Sequence, residues 1–529
     1  MTVTETPPAA PATDDAARPT AVAPTGLAGV VGTSDHKVVG RLYIATSLLF
    51  ILVSGVAGQL VAAERADLDV LDNGTVFQIF TLHSVSGTFL FLVPMLLGIA
   101  MVIVPLQVGA STIAFPRAAA ASYWTFLVGG VLLLASYARD GGPGGSSDAG
   151  INLWAASFAA VLLSLILGSI CVVTTVAGLR ARGMSTSMVP MFSWSMLVAG
   201  TVWILSLPVL VATLVLVYVD HQYGQQSFGL EADMYERVVW AFRQPQVYAY
   251  AVPALGIITD AITTIGGRKL SSRPAAMGAI GLAGALGFGA FLQRTIHPDA
   301  VEEPLFVILS ILAILPVLGL FGLWADVLRR GERRLASPLV FSVAAGLMLL
   351  VATLVGATLS IPAFDMTGTT AEYGQSHYAL LATSIAAVGG LWLWASKIFG
   401  RRLPEGLGIV AGLLLLVGTI LVSLPDVISG AFGDSDEATA GIEWLNVVMA
   451  IGGLVAVAGV LVVVAALVPA LRRRGDDELA DDPWGTGSTL EWATASPPAY
   501  ANFAEPPVVT SATPLLDDAP DRTAEGTTR

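Results

Sequence analysis

The chain has 529 residues, of which 55% are hydrophobic and 12% charged, with a formal net charge of -13 and a mean hydropathy of +0.75. That balance excludes a soluble globular protein of this size. The single cysteine, Cys171, excludes an internal disulfide, a C-x-x-C-H haem attachment, a cysteine-ligated cluster and a two-cysteine copper site; it is read as a packing residue. No Gly-rich loop opens a helix in a nucleotide-binding context, and no nucleic-acid partner is expected.

In chain order, residues 1–32 are rich in Pro, Ala and Thr and are expected to be a disordered tail. They lack the apolar core of a cleaved signal peptide, so the first helix itself would direct insertion. Apolar segments of roughly 18 to 25 residues, each long enough to cross ~30 Å of hydrocarbon as helix, then recur about twelve times. They begin near Leu42, Phe80, Ser122, Leu153, Trp194, Trp240, Ala275, Leu305, Leu339, Tyr378, Leu407 and Leu445. Lys and Arg fall almost wholly in alternate connections, among them Lys37 with Arg41, Arg180 with Arg182, Arg268 with Lys269, and Lys397 with Arg401. By the positive-inside rule both termini are cytoplasmic, which requires an even helix count. The acids of Glu64 to Asp72, Glu231 to Glu236, Asp299 to Glu303 and Asp434 to Glu437 would face outward. Residues 475–529, acidic and Pro-rich, are expected to be a second disordered cytoplasmic tail, leaving 33–474 as the membrane domain. The fold class is therefore all-α, a polytopic membrane protein; a bacterial plasma membrane is the expected location.

Ionisable groups in a bilayer are costly and mark function by default. Of five histidines, His36, His221 and His297 lie at helix edges or in loops, whereas His83 and His377 lie within apolar segments. The second segment meets His83 after about two turns, a depth of roughly 10 Å at 1.5 Å per residue, and the tenth meets His377 near its start. The sixth brings Arg243, Gln244, Gln246 and Tyr248 to a similar depth, and the seventh ends with Gln293 and Arg294. Two neutral imidazoles on separate helices at matched depth are what a bis-histidine, low-spin haem requires. The competing reading is that each histidine only hydrogen-bonds a neighbouring helix. The glutamines and Arg294 likewise read as a satisfied hydrogen-bond cluster, since an amide oxygen is a poor ligand for copper or haem iron.

Five stretches carry a resemblance to subunit I of the haem-copper oxidases, the cytochrome c oxidase family. They are T-S-D-H-K-V-V-G-R-L-Y (33–43), F-T-L-H-S-V-S-G-T-F-L-F (80–91), V-P-L-Q-V-G-A-S-T-I-A-F-P-R (104–117), G-M-S-T-S-M-V-P-M-F-S-W (183–194) and Q-P-Q-V-Y (244–248). The resemblance implies a twelve-helix subunit I fold over about Thr33 to Phe432, with His83 and His377 as the axial ligands of the low-spin haem, of type a or b. It also implies departures. Gln244 stands for a copper-ligating histidine, Gln246 for the proton-donating glutamate, Gln293 and Arg294 for an adjacent histidine pair, and Gln375 for the proximal ligand of the high-spin haem. Tyr248 is kept, without a histidine beside it for cross-linking, and is read as a buried hydrogen-bonding tyrosine. The proton-path positions read Thr112, Ala118 and Leu320, and Ala62 stands where an arginine would meet the haem's formyl group. Arg294 is expected to supply, in the former copper site or against a propionate, the positive charge the metal once did.

Three functions follow as expectations. The first is a degenerate subunit I that holds one low-spin haem and no copper and carries electrons or senses redox state inside a membrane complex. The second is a non-catalytic scaffold for a subunit II-like or III-like partner, and the third an active cytochrome c terminal oxidase. Sequence leaves the redox partner unnamed, as it does any quinone or other ligand in the vacated pocket.

Overall fold

The computed structural model describes residues 26–224, 246–289, 304–332, 334–366, 368–433, 441–472 and 479–517. Gly26–Val31 is a short helix in a unit separate from the rest of the described chain. Among the described residues the remainder is built on twelve long helices: α1 (His36–Arg65), α2 (Gly74–Val108), α3 (Pro116–Tyr137), α4 (Asp148–Gly178), α5 (Met191–Tyr223), α6 (Gln246–Gly266), α7 (Arg273–Gly289), α8 (Val307–Arg330), α9 (Ser337–Leu359), α10 (Ala371–Leu393), α11 (Glu405–Phe432) and α12 (Trp444–Arg472). Among the described residues eleven helices are long and apolar enough to cross a membrane, against the expected count of about twelve. The remaining segment, α7, is described for 17 residues and ends where the described stretch ends. No strand occurs among the described residues, only the isolated bridges Arg182 to Val508 and Ala499 to Asn502. The chain is an all-α polytopic membrane protein.

Local chemistry sets the helix ends. The Asp35 carboxylate accepts from Lys37 N at 3.0 Å, Asp72 from Thr75 N at 3.0 Å and Ser147 Oγ from Gly150 N at 3.2 Å, each satisfying a first-turn donor that has no intrahelical partner. Gly109 closes α2 with φ of 75°, and the next amide, Ala110 N, returns to Pro105 O at 2.8 Å. Leu49, Val56, Val128, Leu163, Leu205, Leu413 and Leu454 are exposed on the outer helix faces, where lipid replaces water as solvent.

Burial singles out three helices. The most apolar window is 100% buried in α2, 94% in α6 and 72% in α10, against 28–56% in the others. These same helices carry His83, Gln246 with Tyr248, and Gln375 with His377. The candidate residues thus lie on the three helices whose apolar windows are most buried.

Residues 479–517 depart from the solvated tail that composition predicts. Trp484, Leu490, Trp492 and Val509 pack with the main core. Trp484 Nε1 donates to Leu393 O at 3.0 Å, Thr486 Oγ1 to Thr264 O at 2.6 Å and Asn502 Nδ2 to Ala110 O at 2.9 Å. In return Lys37 Nζ donates to Tyr500 O at 3.0 Å and Lys397 Nζ to Asp481 O at 2.7 Å and to Thr494 O. The segment therefore covers one end of the bundle, the end that carries Lys37, Lys397 and Arg334. At its centre Gln107 Nε2 donates to both Asp260 Oδ2 (2.9 Å) and Glu491 Oε1 (3.0 Å), while Asp260 caps α5 by accepting from Met191 N and Phe192 N. Burial, and then the nearby Asp260 charge, push the Glu491 carboxyl up to about 7.

Candidate functional site

His83 stands on α2 in the last turn of regular helix, which then gives way to a π-helical stretch, Ser86–Leu92. Such wide turns rotate the following residues against the preceding ones and recur at functional positions. The ring lies against α1 at Gly58, where a Cβ would meet His83 Cε1 and Nδ1 at 2.7 Å. Glycine at 58 thus makes room for the imidazole. Its Nδ1 donates to Ser54 O at 2.8 Å, and Ser54 Oγ donates to His83 O at 3.0 Å. Ring and backbone of His83 are fixed by the same residue of α1.

His377 lies in the second turn of α10. Its Nδ1 is 3.8 Å from Asp426 Oδ2 on α11, and Asp426 Oδ1 accepts from Arg65 Nη2 at 2.7 Å. The His83 and His377 ring centroids are 6.2 Å apart with an interplanar angle of 55°. Two metal–nitrogen bonds of ~2 Å, together with the ~1 Å from each nitrogen to its ring centre, set two axial imidazoles ~6 Å apart across one metal ion. With Nδ1 of one ring on a carbonyl and Nδ1 of the other facing a carboxylate, Nε2 of each is the nitrogen left for a ligand, as metal-bound histidines require. The residues present therefore fit a bis-histidine haem. Both rings are half-buried rather than sealed in the core.

The remaining sequence candidates separate by position. Gln375 is buried on α10, but two residues from His377, so the two side chains leave the helix about 200° apart and do not share a face. Gln246 and Tyr248 lie in the first turn of α6; their side chains, and all of Gln244, Gln293 and Arg294, lie outside the described residues. Leu320, read as standing where the resemblance would place a proton-path lysine, is fully buried on α8.

Sequence reasoning missed Ser54, Asp426 and Arg65. Asp426 left a signal: it is an acid well inside an apolar 28-residue helix, the feature a search for intramembrane charge is meant to find. Arg65 is the lone cation in an acidic connection and reads there as an exception to sidedness. Ser54 leaves no signal, because its backbone carbonyl does half the work.

Comparison with known proteins agrees with this architecture. Residues 38–455 match the family model described as cytochrome c and quinol oxidase polypeptide I. A Streptomyces avermitilis protein named as a cytochrome c oxidase subunit 1-beta is 31% identical over 92% of this chain and 91% of its own length. Cytochrome c oxidase subunit 1 of Corynebacterium diphtheriae is 28% identical over 96% of both chains. A haem-copper terminal oxidase solved as a dimer superposes with a TM-score of 0.67 at 13% identity, covering 84% of this chain and 85% of the other. With four-fifths of its length inside the family model and its helices in the family's arrangement, this chain belongs to the haem-copper oxidase subunit I family.

Proposed function

We propose that this protein is a subunit I that holds one low-spin haem between His83 and His377 and moves electrons within a membrane complex without reducing oxygen. The observation that carries the reading is the pair of imidazoles 6.2 Å apart with each Nδ1 turned toward α1 or α11. His83 and His377 would hold the haem, which would supply a one-electron couple. The chain's own residues then do the positioning. Ser54 fixes the tautomer of His83 through its backbone carbonyl. Support for the loss of oxygen chemistry is the set of residues at the resemblance's ligand positions, Gln244, Gln293, Arg294 and Gln375, none of them a good ligand for copper or haem iron. Arg294 would balance charge in the former copper site. The relatives are named as oxidase subunits, which makes an oxygen-reducing enzyme the reading to be tested against.

Subunit II-like or III-like proteins are the expected partners, the location is a bacterial plasma membrane with both termini cytoplasmic, and residues 33–474 are the membrane domain. The test is a dithionite-reduced minus oxidised visible spectrum of purified protein, recorded with and without carbon monoxide and with a haem-to-protein ratio. One haem per chain, unaffected by carbon monoxide, is the expected result. Two haems with a carbon monoxide shift would mean an active oxidase, and no haem would leave the scaffold.

A further inference from the structure

The two histidines are not equivalently supported. His83 Nδ1 meets a neutral acceptor, the Ser54 carbonyl, at 2.8 Å, whereas His377 Nδ1 faces a carboxylate, Asp426, at 3.8 Å. The Asp426 side chain is fully buried, and among the described residues neither its Oδ2 nor His377 Nδ1 has a hydrogen-bond partner. A buried donor and a buried acceptor left facing each other are costly, and an approach of about 1 Å turns their separation into a charge-assisted hydrogen bond.

The surroundings hold Asp426 in that position from three sides. Arg65 Nη2 grips Oδ1 at 2.7 Å and Thr370 Oγ1 donates to the Asp426 carbonyl at 3.1 Å. Two glycines let α10 and α11 come together on either side of the pair. A Cβ on Gly374 would meet Ser423 O at 2.7 Å, and one on Gly430 would meet Ala371 N at 2.4 Å. Packing this close fixes which residue of α11 stands against His377.

We propose that Asp426 is the positioning residue of His377: it accepts the Nδ1 proton, fixes Nε2 as the iron-binding nitrogen and gives this axial ligand anionic character. Arg65 holds the carboxylate by its other oxygen and keeps it aimed. A more anionic ligand stabilises ferric over ferrous iron, so the site favours a low-potential haem with one strong and one ordinary imidazole donor. This inference rests on the haem reading above.

The experiment is a spectroelectrochemical titration and a low-temperature EPR spectrum of the full-length D426N protein beside wild type, with haem content measured on both. Asparagine keeps the volume and removes the charge. The reduced-to-oxidised ratio at fixed ambient potential is expected to rise about tenfold, or about 59 mV for a one-electron couple, with a moved low-spin ferric signal, and D426E is expected to restore part of both. If D426N does not fold, R65Q tests the pair from its other end, since an uncompensated carboxylate is expected to lower the same ratio. A D426N protein that holds its haem with unmoved potential and EPR signal overturns the role of Asp426 alone. Haemless wild-type protein overturns the haem reading and this inference with it.

Discussion

At the scale of single residues, the site depends on side chains that are absent as much as on those present. Gly58 sits where any Cβ would collide with the His83 ring at 2.7 Å, so G58A is expected to push the imidazole off Ser54 O and weaken haem retention by about 10- to 100-fold. A haem-to-protein ratio measured after dialysis against apo-myoglobin checks this, and retention equal to wild type would remove Gly58 from the site. His83 and His377 were legible in the sequence because an ionisable group inside an apolar run stands out. Asp426 was legible by the same rule, yet nothing in the sequence aims it at His377 rather than at lipid or solvent. Gln375 shows the opposite limit. Its place two residues from His377 reads as part of one site, while helix geometry turns it to another face.

At the scale of elements, helix pairs approach through small residues. A Cβ on Gly40 of α1 would meet Gly98 O of α2 at 2.5 Å, and one on Gly98 would meet Gly40 O at 2.9 Å. Such contacts replace the hydrophobic drive that lipid does not provide. G40A is therefore expected to cost about 1–3 kcal/mol by forcing the helices apart, seen as a lowered unfolding temperature in detergent. Gly278 of α7 has open space where a Cβ would stand, with nothing within 4 Å, so G278A is expected to be neutral or to gain up to about 1 kcal/mol from helix propensity. Equal effects of the two substitutions would argue against close α1–α2 packing. The helices themselves were readable from hydropathy and length. The π-helical stretch after His83 was not, since the Ser86–Gly87 pair at its start marks an irregularity without specifying a widened turn.

At the scale of the whole molecule, residues 479–517 act as a clasp over one end of the bundle, through Lys37, Lys397, Gln107 and the helix ends beside them. The clasp is pH-sensitive by construction. Glu491, pushed up to about 7 from an ordinary 4.5, contributes stability that is fully present below 4.5 and lost as pH rises through about 7. Lys397, held down to about 8 by burial despite the Asp481 and Glu491 charges, has the opposite sign: its contribution is present above 10.5 and lost as pH falls through about 8. Hydrogen exchange across 479–517 is thus expected to quicken in wild type between pH 4.5 and 7, after correction for the intrinsic rate. E491Q is expected to abolish that trend, a difference on the order of 3 kcal/mol. A trend unchanged in E491Q would place the sensitivity elsewhere.

By itself the sequence determined an all-α membrane protein, close to its number of spanning helices, and singled out two histidines inside apolar segments, because hydropathy, helix length and charge rarity are sums taken along the chain. Tertiary structure alone decided that His83 and His377 meet, that Asp426 and Arg65 stand behind one of them, and that an acidic, Pro-rich end is folded. Each of those outcomes depends on partners far away in sequence. The Asp426 and Arg65 carboxylate–guanidinium pair spans α1 and α11, and the Lys37 and Asn502 bond joins the start of the bundle to the final segment. Composition judged 479–517 unable to bury enough surface, which holds for the segment in isolation. The groove that receives Trp484 and Trp492 is made by other helices, and no local property of the segment records it.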